Sequence, residues 1–91
     1  MNMLPFKEEH KNGYYIRTFS SDLNESELKW HWDEQDRIVI SEEDTDWEFQ
    51  MDNELPFRIK KNTPIFIPEG HYHRIIKGTG DLTVKVKKLN Q

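Results

Sequence analysis

Asn62-Thr63-Pro64-Ile65-Phe66-Ile67-Pro68-Glu69-Gly70-His71-Tyr72-His73-Arg74-Ile75-Ile76-Lys77 is the stretch on which the reading of this chain turns. An apolar run from Ile65 to Ile67 stops at Pro68, and a Pro-Glu-Gly turn follows. Proline cannot donate to a sheet ladder and glycine can take positive φ, so residues 68–70 reverse one strand into another. The returning strand begins near His73, which places an imidazole at the mouth of a rigid sheet, a good position for a ligand-binding side chain.

Alternation continues outward from this stretch. Residues 81–88 set Leu82, Val84 and Val86 against Thr83, Lys85 and Lys87, the period of two expected of a strand with one buried face. Towards the N-terminus, residues 55–60 follow an Asp-Asn-Glu turn, and residues 61–63 turn again around Asn62, a residue that tolerates left-handed φ. Residues 47–51 put Trp47, Phe49 and Met51 on one face, with Glu48 and Gln50 opposite; the register that would decide whether Gln50 faces a pocket is open. Residues 36–41 place Asp36, Ile38 and Ile40 together, and residues 28–32 set Leu28, Trp30 and Trp32 against Lys29 and His31. Residues 14–19 read as the first strand. Asn24 and Glu27 have the capping-box offset, but with room for about one helical turn residues 20–27 read as a loop. The sum is about eight short strands with turn signals about every 8–12 residues and no helix, which implies an all-β sandwich or barrel. One domain is expected over residues 1–91: an extension at 1–13, a first strand and loop at 14–27, and a barrel core at 28–89.

The bulk properties exclude several classes of function. A formal net charge of -4 argues against nucleic-acid binding, and Lys85, Lys87 and Lys88 belong to a solvated strand face. The absence of cysteine rules out disulfides and thiolate metal sites. No segment has the length of a membrane-spanning helix, and the opening residues lack the build of a signal peptide, so a cytoplasmic protein is expected.

With its strands placed, the chain resembles a small cupin, a jelly-roll β-barrel, over about residues 28–88. The second cupin motif, Gly-x5-Pro-x-Gly-x2-His-x3-Asn, is met by Pro68, Gly70 and His73, with Asn62 at the first glycine and Lys77 at the asparagine. The first motif, built on His-x-His and a following Glu, is met by Lys29-Trp30-His31 and Asp36, while Leu23 and Glu43 stand in place of its flanking glycines. The resemblance implies a divalent metal, Fe(II), Zn(II), Mn(II) or Ni(II), held by His31, Asp36 and His73, and two imidazoles with one carboxylate also suit non-haem Fe(II). It implies a pocket that binds or acts on a small polar molecule, with Lys29 and Gln50 as pocket residues and Lys29 as a candidate catalytic group. Whether the protein is an enzyme is left undecided, because cupins host many unrelated activities.

A rival reading follows from the departures. Lys29 stands where a ligand histidine is expected, and paired with Asp36 it would fill a metal-free pocket; the protein would then be a small-ligand binding module or an interaction protein. His71 is expected to be exposed, and Arg74 to point away from His73. If Lys29 and His31 face inward, Trp30 and Trp32 face out, to be covered by the strand at residues 14–19 or by a second copy in a homodimer.

Overall fold

A computed structural model describes residues 4–89. Eight strands run in chain order: β1 (Lys7–His10), β2 (Tyr15–Phe19), β3 (Arg37–Ser41), β4 (Glu48–Met51), β5 (Phe57–Arg58), β6 (Ile65–Ile67), β7 (His73–Ile76) and β8 (Leu82–Lys88). They form two antiparallel sheets, one ordered β1-β2-β8-β3-β6 and the other β5-β4-β7. The expected all-β fold class is therefore observed, with two changes in strand membership.

The first change is at residues 7–10, expected to be an unpatterned extension. They pair along β2, from Lys7 opposite Thr18 to His10 opposite Tyr15. Arg17 on β2 pairs with Glu8 and lies over the Phe6 ring, 4.5 Å from its centroid, which fastens the extra strand. The second is at residues 28–32, which join no ladder and touch β7 at a single backbone pair, His31 with His73. Upstream, the capping box is real: Asn24 Oδ1 accepts from Ser26 N–H (3.0 Å) and Glu27 Oε2 from Asn24 N–H (3.2 Å), closing one 3-10 turn at Glu25–Glu27.

The core lies between the sheets. Trp47, Phe49, Ile59, Leu82, Val84 and Val86 are buried there, and Trp47 Nε1–H donates to the Gly80 carbonyl at 3.2 Å, so the large indole is buried without orphaning its donor. On β8 the buried residues are those the alternation indicates, whereas in the apolar run of β6 Ile65 and Ile67 are buried and Phe66 is exposed. On β3 the parity is opposite to expectation. Val39 and Ser41 are buried and Arg37 shares their face, while Ile38 and Ile40 lie half-buried on the other face with Asp36 beyond them.

The turn at residues 68–70 is as expected. Gly70 has φ 77° and Asn62 φ 52°, both in the left-handed region. Gly70 N–H donates to the Asp33 carbonyl at 2.9 Å, and Glu69 N–H donates to Asp36 Oδ1 at 2.8 Å. The turn that delivers His73 is thereby clamped to the turn that follows His31.

Candidate metal and ligand site

Two imidazoles meet because their backbones pair. His31 N–H donates to the His73 carbonyl (3.0 Å) and His73 N–H to the His31 carbonyl (2.9 Å). Residues directly opposite in an antiparallel pair send their side chains to the same face, and the two ring centroids are 4.3 Å apart. Asp33 lies two residues after His31, on the same side of an extended segment. One ligand atom from each of His31, Asp33 and His73 lies within 4.8 Å of the others.

The acid that joins the imidazoles is thus Asp33, where Asp36 was expected. Asp36 precedes a strand whose inward face takes Arg37, Val39 and Ser41, so the alternation carries it away, and its carboxylate holds the Glu69 amide instead. The sequence signal that would have found Asp33 is the His-x-Asp spacing, which is masked by the turn-like composition of residues 33–35.

The ring orientations are set by backbone carbonyls. His31 Nδ1 is 3.0 Å from the Lys29 carbonyl and His73 Nδ1 is 2.9 Å from the His71 carbonyl. A carbonyl only accepts, so each ring carries its proton on Nδ1 and a neutral ring presents a lone pair at Nε2. His73 Nε2 lies 3.3 Å from Asp33 Oδ2, and that oxygen is buried with no hydrogen-bond donor among the described residues. Two acceptors facing each other at this distance repel unless a cation, either a metal ion or an added ring proton, lies between them. Buried acceptors left unsatisfied cost about 1–3 kcal/mol. A divalent ion with bonds of about 2.0–2.2 Å sets its ligand atoms about 3–4 Å apart, so small side-chain movements would close these three atoms on one ion. The residues present fit the metal.

The electrostatics agree. Burial lowers the pKa of His31, with smaller contributions from His73 and Arg37, so the ring favours its neutral, ligating form. Burial alone would raise the pKa of Asp33, but a hydrogen bond from His73 and the charge of Arg37 outweigh it and hold the carboxyl below its ordinary value; the His73 part needs a proton on Nε2 and belongs to the metal-free pocket, while the Arg37 part does not. Arg37 Nη1 lies 3.3 Å from Asp33 Oδ1, the oxygen that does not face His73. The carboxylate therefore divides its oxygens, one facing the guanidinium and one facing the His73 imidazole.

The cluster lines a cavity of about 280 Å³ whose walls come from both sheets. Apart from the cluster, Arg37, Arg17 and the exposed Glu27 and Lys29, its wall is largely apolar, made by residues such as Val39, Phe49, Ile59 and Ile67. Lys29 lies exposed on the rim, and its carbonyl orients His31. The cation beside the cluster's carboxylate is Arg37, where the rival reading expected Lys29. Gln50 is not in the cavity wall: it alternates with the buried Phe49, its Oε1 accepts from Arg74 Nε–H at 2.9 Å, and its Nε2–H donates to the Glu54 carbonyl at 2.9 Å. His71 is exposed and Arg74 points away from His73, as expected. Trp30 lies under the Arg74 guanidinium at 4.7 Å, and Trp30 and Trp32 stay 39% and 49% exposed. The strand at Tyr15–Phe19 does not cover them, because it pairs with β8 in the other sheet.

No protein-family model matches the sequence, and no curated protein matches it. Solved structures do. A cupin domain from Bordetella pertussis superposes with TM-score 0.63 at 13% identity, covering 93% of this chain and 92% of that one. The fold is that of a cupin. The DMSP lyase DddQ from Ruegeria pomeroyi superposes with TM-score 0.72 at 19% identity, over 86% of this chain and 38% of the lyase. The Fe(II) form of HppE superposes with TM-score 0.65 at 12% identity, over 84% of this chain and 41% of that one. This cupin-fold chain thus spans about two fifths of the length of each of those two enzymes. At these identities the likeness is one of fold.

Proposed function

We propose that this protein is a metal-dependent cupin in which His31, Asp33 and His73 hold one divalent ion in the wall of a small ligand cavity. The observation that carries the reading is the meeting of one ligand atom each from His31, Asp33 and His73 within 4.8 Å of one another, with both rings fixed at Nδ1 by backbone carbonyls and a buried Asp33 Oδ2 that meets no donor among the described residues. Two imidazoles and one carboxylate leave open positions for a ligand, and the set suits Fe(II), with Mn(II), Ni(II) and Zn(II) served by the same atoms. The bound ion would supply Lewis-acid or oxygen-activating chemistry.

The chain's own residues do the rest. The Lys29 and His71 carbonyls hold the rings in their ligating tautomer. Arg37 keeps the carboxylate ionised from its far side, and the apolar walls exclude water. Lys29, on the rim, is in position to attract an anionic molecule.

A second reading keeps the pocket metal-free, with His73 protonated against Asp33 and Arg37. The Asp33–Arg37 contact favours it, because a guanidinium close to a divalent ion is repulsive. Metal analysis of protein purified without chelator, and after reconstitution with each of the four ions, separates the two. The metal reading expects about one equivalent in the wild type and none in a His31→Ala, His73→Ala double variant. Wild-type protein that retains none of the four ions overturns it in favour of the second.

A further inference from the structure

We propose that the cavity takes a small amphipathic monocarboxylate, its carboxylate held by the Arg37 guanidinium beside the His31–Asp33–His73 cluster and its apolar body against the inner walls. The inference deepens the reading of this cavity as a ligand site and rests on it, although the Arg37 contact itself needs no metal.

The first support is an unused donor. Arg37 lines the cavity and its side chain is 13% exposed. Its Nη1 faces Asp33 and its Nη2 donates to Gln35 Oε1 at 3.3 Å. Its Nε–H is buried and meets no acceptor among the described residues. A buried guanidinium N–H left without an acceptor is matched by one oxygen of a carboxylate, in a charge-assisted hydrogen bond.

The second is the balance of charge. Arg17, the other guanidinium of the wall, is already paired with Glu8. Arg37 and Asp33 balance each other, as do Lys29 and Glu27 in the same wall, so an ion at the cluster would leave a positive surplus for an anion to offset. A phosphate dianion would bring more acceptor oxygens than a single unengaged donor can satisfy in so apolar a space.

The third is shape and lining. Phe19, Val39, Phe49, Ile59, Ile67 and Val86 make the inner surface apolar, and its volume of about 280 Å³ is just below the range of about 300–1,000 Å³ typical of ligand pockets. A fully polar molecule would lose its hydration there without replacement. The expected small polar molecule becomes one with a polar head and an apolar tail.

Titration calorimetry with hexanoate and benzoate against hexanamide and benzamide, acetate and hexyl phosphate tests this directly. The acids are expected to bind at least tenfold more tightly than their amides and more tightly than acetate or hexyl phosphate. The preference for acid over amide should persist in chelator-treated protein and, measured in that same metal-free state, fall at least tenfold in Arg37→Lys. Equal binding of acid and amide, tighter binding of hexyl phosphate, a preference that vanishes with chelator, an unaltered Arg37→Lys, or binding of no probe overturns the proposal. The wild-type comparison stands even if the variant does not fold. Acid selectivity in a protein that retains no metal would sink the metal reading and leave this one standing; metal without acid selectivity would do the reverse.

Discussion

Asp33 and Asp36 carry the same chemistry and lie within one turn of the chain, yet their backbones give them different work. Asp33 extends from the same side as His31 and brings a buried oxygen to the imidazoles. Asp36 points the other way and accepts the Glu69 amide. Exchanging one oxygen for nitrogen separates the roles. Asp33→Asn should abolish stoichiometric metal binding, because the neutral amide is a poor ligand and leaves Arg37 without its counter-charge. Asp36→Asn retains an oxygen that can accept the same backbone donor, so it should bind metal as the wild type does. Metal content after dialysis reads both, and the reverse pattern would return the site to Asp36.

The clamp between the turns acts on the elements that carry the histidines. Asp36→Ala removes the acceptor for Glu69 N–H and frees the turn at residues 68–70 that leads into β7. Groups that orient metal ligands are worth about 10–100-fold in metal affinity, so this variant should weaken binding by that factor where Asp36→Asn does not. Equal affinities in the two would show that the clamp positions nothing. In the core, a Cβ at Gly78 would lie 2.6 Å from the backbone nitrogen of the buried Trp47. Gly78→Ala should therefore destabilise the protein by about 1–3 kcal/mol through overpacking, seen as a lowered Tm. The first strand has its own test. Burial raises the Glu8 pKa, but Arg17, with His10, more than offsets this and leaves it lowered. A depressed carboxyl stabilises the fold above its ordinary value of 4.5 and loses that contribution as pH falls through the folded value. The Tm of Glu8→Gln should lie below that of the wild type at pH 7 and converge with it at low pH. The pair is partly solvated, so the difference should be about 1 kcal/mol or less. A gap that does not narrow on acidification would contradict this account of how β1 is held.

The all-β class and the position of the 68–70 turn could be read from the sequence, because period-two alternation and a proline-glycine break are local signals, and the meeting of His31 with His73 was implied by the resemblance to cupins. What could not be read depended on which face is inward. In β3, Ile38 and Ile40 are as apolar as Val39, and only the packing of β8 and β6 on either side decides that Arg37, Val39 and Ser41 turn inward. That one inversion exchanged Asp36 for Asp33 and Lys29 for Arg37. Gln50 was misplaced for a related reason, since its partner Arg74 lies 24 residues away and nothing local announces the pair. β1 was missed because Lys7–His10 carries charge rather than alternation and is held by β2. The central claim is that His31, Asp33 and His73 close on one divalent ion. Anomalous diffraction at the metal edge, from crystals of protein loaded with Mn(II) or Zn(II), tests it most directly. The account predicts a single peak within about 2.0–2.4 Å of both Nε2 atoms and of Asp33 Oδ2; no peak in the cavity, or one bonded through Asp36 instead, would contradict it.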